Sequence, residues 1–137
     1  MKKVLFLLFV CFCAVGLAQN EEPVEVPQIL IRIPLGETAK IGDATVKFVQ
    51  VLEDSRCPLD VTCIWAGRAR VQLEVALKDK EAVQKVVIIG QTRPGESRNQ
   101  VLFDSEGTYL KANAVTPYPT SEDNGNRAYA VLISNKK

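Results

Sequence analysis

The chain of 137 residues contains no histidine. That removes the usual general base near neutral pH, the Ser–His and Cys–His nucleophile pairs, and the commonest transition-metal ligand. Glycines are few and scattered, with Gly90, Gly95 and Gly107 falling in turns, so there is no Gly-rich loop to cradle a phosphate. No block of like charge occurs: 17 basic residues are interspersed with 16 acidic ones. Neither nucleic acid nor an anionic membrane is therefore expected as a dedicated partner. There is no internal repeat and no low-complexity segment. The longest apolar run, residues 4–15 (VLFLLFVCFCAV), is too short to span a bilayer as a helix.

That run has a different reading. Lys2 and Lys3 precede it, and Gly16-Leu17-Ala18 follows with small residues at −3 and −1 of a cut before Gln19. The order of positive charge, apolar run and small-residue site is that of a cleavable secretory signal. Residues 1–18 are accordingly expected to be a signal peptide, residues 19–27 a polar, Pro-containing lead-in, and residues 28–137 a single domain. Cys11 and Cys13 raise a lipoprotein reading, but Val10 and Phe12 stand where a small residue would precede the lipidated cysteine. The mature chain is expected to be soluble and exported through the inner membrane, periplasmic or secreted, with no membrane span. Without Lys2 and Lys3 it carries 15 basic against 16 acidic residues. Of the four cysteines only Cys57 and Cys63 remain, and in an exported protein an isolated pair defaults to a disulfide.

Past residue 28, β signals dominate. Ile29, Ile31 and Ile33 alternate with Leu30 and Arg32. The Ile41-Gly42-Asp43 corner separates residues 38–41 from residues 45–52, as in a hairpin. Within 45–52 the apolar phase shifts between Val46/Phe48 and Val49/Val51, which marks either a bulge or a strand covered on both faces. Ala69, Val71, Leu73, Val75 and Leu77 alternate with Arg68, Arg70, Gln72, Glu74 and Lys78, giving one core face and one solvated face. Residues 79–81 then turn into the VVII run of 83–89. A helix over 73–87 competes, because Leu73, Leu77, Val83 and Val87 sit near helical spacing. The longer period-2 pattern and the β-branched run favour the hairpin. Residues 101–103, 109–116 and 129–134 complete the set, with Pro94-Gly95 and Asn124-Gly125 as turn signals. The fold class expected is all-β: a small antiparallel β-sandwich or barrel of seven to eight short strands with one loop-closing disulfide.

The distinctive segment is Asp54-Ser55-Arg56-Cys57-Pro58-Leu59-Asp60-Val61-Thr62-Cys63-Ile64-Trp65-Ala66-Gly67. A bridge across five intervening residues makes a tight ring, Pro58 stiffens it, and Gly67 permits a kink where the chain meets the next strand. This stretch resembles a group of small secreted or lipid-anchored bacterial proteins of unassigned function. They share a D/E-S-R-C-P, four or five residues, C-x-W-x-G pattern followed by a strand. Weaker likeness extends to residues 35–39 and 115–119. The resemblance implies an exported β-rich domain and no particular activity. The lack of a lipid-attachment cysteine sets this chain apart from the anchored members.

Two roles compete for the segment. It is either a rigid presented loop, contacting a protein partner through Arg56, Leu59, Asp60 and Trp65, or a structural staple. In the second role Trp65 lies in the core, and Asp54 and Arg56 satisfy loop backbone groups or each other. Arg68 and Arg70 are expected to be solvated. Catalysis is not expected, though carboxylates could in principle support a hydrolase without histidine. Adjacent pairs such as Glu53-Asp54 point to opposite faces of a strand and so do not make a site. The cysteine spacing is not that of thiol oxidoreductases. No cofactor or metal is expected; the oxygen-rich 121–126 loop lacks the spacing of a known calcium loop. The function expected is an exported non-catalytic binding or structural module, inhibitor-like if the loop is its working surface.

Overall fold

A computed structural model describes residues 29–78, 80–105 and 108–136. The expected signal peptide and lead-in, and Asp79 of the expected turn, lie outside them. The described residues form eight strands and no helix: β1 (Leu30–Pro34), β2 (Thr38–Ile41), β3 (Ala44–Asp54), β4 (Arg68–Leu77), β5 (Val83–Gly90), β6 (Val101–Ser105), β7 (Thr108–Thr116) and β8 (Ala130–Lys136). They build two four-stranded antiparallel sheets, in the orders β1-β8-β7-β6 and β2-β3-β4-β5. No helix of the described residues is long and apolar enough to cross a membrane.

Side-chain alternation explains the sandwich. Ala69, Val71, Leu73 and Val75 point inward from β4, joined by Ala44, Val46 and Phe48 from β3 and Val87 from β5. The facing sheet contributes Ile33, Leu102, Leu110, Ala112, Val115, Val131 and Ile133. Together they make one core between two layers. The 73–87 segment is the expected hairpin, with Val75 paired to Val83 and Leu73 to Lys85.

At the β2–β3 corner Ile41 pairs with Ala44, and Gly42 takes φ 62° at the first central position of a two-residue turn. The phase break in β3 is a bulge: pairing skips from Phe48 to Gln50, and again from Val51 to Glu53. Each skipped residue re-aims those after it, which brings Glu53 and Asp54 to the end of the sandwich where the disulfide loop begins.

The 91–100 connection laces the sheets together. Arg98 O accepts from Ile88 N of β5, and Gln100 O accepts from Ala112 N of β7, each at 2.9 Å. Lys85 reaches across from β5 to donate to Leu102 O at 2.7 Å. The β5 edge is therefore occupied by the chain itself.

Candidate functional site

The disulfide loop runs from the end of β3 to the start of β4, and its base is held by an ionic node. Arg56 is only 6% exposed. Its Nε and Nη2 donate to Oδ1 and Oδ2 of Asp54, both at 2.7 Å. Its Nη1 donates to Val115 O at 2.5 Å and its Nη2 also to Pro117 O at 3.0 Å. The Tyr118 ring lies over the guanidinium, 4.6 Å away at its centroid. Asp54 Oδ2 further accepts from Arg127 Nη1 at 2.8 Å and from the Tyr129 hydroxyl at 3.0 Å. Arg127 in turn pairs with Asp123.

Burial works against the Asp54 carboxylate, but the hydrogen bonds and charge of Arg56 outweigh it and hold its pKa below the ordinary value. Burial, reinforced by the neighbouring Asp54, pushes the Tyr129 phenol up. Arg56 is thus fully engaged inside the domain, in the pairing with Asp54 and loop carbonyls that the staple role describes, and is turned away from any partner. The bidentate pairing with Asp54, two residues away, and the carbonyls of β7 and the following loop claim it first.

A second node lies beside the first. Arg68 is 1% exposed, not solvated as its place in the alternation suggests. Its Nε and Nη2 reach Glu53 at 3.1 and 3.0 Å, and its Nη1 pairs with Glu96 of the 91–100 connection. The Arg68 hydrogen bonds lower the Glu53 carboxyl from 4.5 to about 2. The Glu96 carboxyl is also lowered, first by the Arg93 backbone N–H it accepts and then by Arg68. Arg70 stays partly exposed, 3.6 Å from Glu53, with its Nε buried and unpartnered.

Above these nodes the loop is closed by the Cys57–Cys63 disulfide. Cys57 N donates to Ala66 O at 2.9 Å and Leu59 N to Pro119 O at 3.0 Å. Asp60 is exposed yet tethered, accepting from both the backbone N–H and the hydroxyl of Ser121. The Ser121 hydroxyl, and then its backbone N–H, lower the Asp60 carboxyl. The apolar residues of the loop are left facing out. Leu59 is 71% exposed, Val61 nearly half, Ile64 fully, and Trp65 is 51% exposed, so it is not a core residue. Of the candidate contacts, Leu59 and Trp65 are accessible, Asp60 is accessible but committed to Ser121, and Arg56 is withdrawn.

The oxygen-rich 121–126 loop engages part of its oxygens with its own chain. Asp123 takes Arg127 and the Gly125 N–H, and Asn124 takes the Asn126 N–H. Among the described residues no group of three or more Cys, Asp or Glu is placed to hold a metal ion.

The ring makes a direct prediction. Replacing Cys57 and Cys63 together by alanine should lower unfolding stability by about 2 kcal/mol, the chain-entropy value for so short a loop. Urea denaturation of the two proteins measures it; equal midpoints would leave the bridge without a stabilising role.

Compared with protein-family models, curated proteins and solved structures, the chain matches none.

Proposed function

We propose that this protein is an exported, non-catalytic binding module that docks a protein partner on the crest of its disulfide loop. The observation that carries the reading is the outward placement of Leu59, Val61, Ile64 and Trp65 within seven residues of a loop fixed at its base. Large apolar side chains concentrated in solvent favour a partner that covers them. The bridge, Pro58 and the Asp54–Arg56 node remove freedom from the loop before association, which reduces the entropy lost on binding. Export fits the ring, since such bridges persist in oxidising compartments. The carboxylates nearest the loop, Glu53, Asp54, Asp60 and Glu96, are all held low and ionised. A histidine-free hydrolase would need one raised into service as a general acid, so nothing here favours that alternative.

The test uses native protein as bait on envelope and culture fractions, followed by affinity measurement with the partner recovered. Leu59→Ser with Ile64→Ser should weaken binding at least about tenfold, as loss of a small hot spot does. The melting curve should stay unchanged, because both side chains already face water. Arg70→Ala with Gln72→Ala, on the outer face of β4, should do little. Undiminished binding by the loop variant would reduce the segment to a staple.

A further inference from the structure

We infer that the cleft beside Trp65 receives an acidic side chain of a protein partner, flanked by apolar residues that rest on the loop crest. This rests on the docking reading above and adds the chemistry of the segment docked. The cleft holds about 420 Å³ and is lined by Trp65, Arg68, Arg93, Pro94 and Arg98, among others. That is within the range of sites that enclose a small ligand group.

Its charge is unbalanced. Arg68, Arg93 and Arg98 line the cleft, and the two carboxylates beside Arg68, Glu53 and Glu96, are both paired with Arg68 and act on the Arg93 guanidinium only at longer range. Arg93 and Arg98 are exposed and have no ion-pair partner among the described residues. Two open guanidinium forks match the geometry of carboxylates.

The backbone that carries the arginines is also held in place. Gln91 N donates to Gly67 O at 3.1 Å, Glu96 N to Arg93 O at 3.1 Å, and Ile88 N to Arg98 O at 2.9 Å. Arg93 N donates to Glu96 Oε2 at 2.8 Å. The loop that carries them is therefore pinned to the sheet and to the start of β4. Trp65 lines the same cleft and is next in sequence to the fully exposed Ile64. A free small anion would use the arginines and leave the crest bare. A purely apolar segment would cover the crest and leave the Arg93 and Arg98 guanidiniums without an ion pair. A peptide carrying Glu or Asp beside Leu, Val or Ile satisfies both.

Trp65 is the only tryptophan of the chain, so its emission reports on the cleft alone. The probes are the blocked peptides acetyl-Leu-Glu-Glu-Val-amide and acetyl-Leu-Gln-Gln-Val-amide, titrated at low ionic strength into the whole protein. The acidic peptide should shift the emission saturably, with affinity falling as salt is added. The glutamine peptide should bind about tenfold more weakly, and Arg93→Gln with Arg98→Gln should lose a similar factor at an unchanged melting temperature. Equal response to both peptides, no response to the acidic one, or an unaffected arginine variant would each overturn the inference. An equal shift with inorganic phosphate would also overturn it, since the site would then be one for small anions. If the recovered partner depends on Leu59 and Ile64 but not on Arg93 and Arg98, the docking reading stands and this one falls. If the acidic peptide binds while the loop variant keeps its partner, the docking reading falls instead.

Discussion

Asp54→Ala is expected to lower unfolding stability by about 3–5 kcal/mol, the loss typical when one member of a buried ion pair is removed. The substitution deletes the acceptor of Arg56 Nε and Nη2, of Arg127 Nη1 and of the Tyr129 hydroxyl at once. Arg56 would remain buried with two carbonyls and a ring but no counter-charge. For a domain of this size the shift in melting temperature should be roughly 10–20 °C. Asp54→Asn preserves shape and part of the hydrogen bonding, so its cost should be smaller.

The same carboxylates set the acid limb of stability. Glu53 titrates at about 2 when folded against 4.5 ordinarily, and Asp54 is also depressed. The unfolded chain therefore binds protons that the folded one does not. Their contribution is complete above the ordinary carboxylate range and is lost as pH falls from there toward 2. A circular dichroism melt series across that window should show a falling midpoint, less steep in Asp54→Asn. A midpoint in Asp54→Ala within 3 °C of the parent would mean the node carries no stability.

Gly67→Ala is the second change with a large expected cost. Gly67 has φ +71°, and a Cβ there would lie 1.9 Å from Ser55 O and 2.9 Å from the Arg56 Cα. Those atoms are not free to retreat: Ser55 N donates to Arg68 O at 2.8 Å and Cys57 N to Ala66 O at 2.9 Å. Left-handed strain adds about 1–2 kcal/mol and the clash about 1–3, so a loss of roughly 2–5 kcal/mol is expected. Gly42→Ala is the control, because φ is similar at +62° but nothing lies within 4 Å of the added carbon. It should cost only the backbone part. Urea midpoints of the two variants compare them directly. Equal losses would show that the close approach at Ser55 relaxes easily.

The strands were legible because one face of each is buried. The period-2 run from Ala69 to Val75 is the inward face of β4, and the phase break after Phe48 is a bulge. The site was only partly legible. Asp54 and Arg56 are two residues apart, close enough to suggest the pair, but spacing could not say whether the guanidinium turns in or out. Its burial depends on Val115 and Pro117, far along the chain. Arg68 misled because alternation reports which face of a strand a residue occupies. It says nothing of a glutamate brought over that face by a bulge, or of a second one supplied by a distant loop. Val61 and Ile64 fall in the expected presented loop, but spacing alone did not single them out as outward-facing side chains. Arg93 and Arg98 carried no local signal, since only the return of the 91–100 connection to Gly67 sets them beside Trp65.

The two fastenings of the loop differ in how far along the chain they reach. The disulfide joins residues only 6 apart, whereas Asp54 meets Arg127 and Tyr129 across 73 and 75 residues. Closing a ring that short costs a disordered chain little, so the bridge can form in a chain that has not folded. The ionic node can assemble only once β3, β7 and the chain leading into β8 have come together. Thiol counting therefore reports exposure to oxidant and not whether a molecule is native. A population in which the Asp54 node has failed would still look fully bridged, with its crest residues attached to a chain that no longer holds them in place.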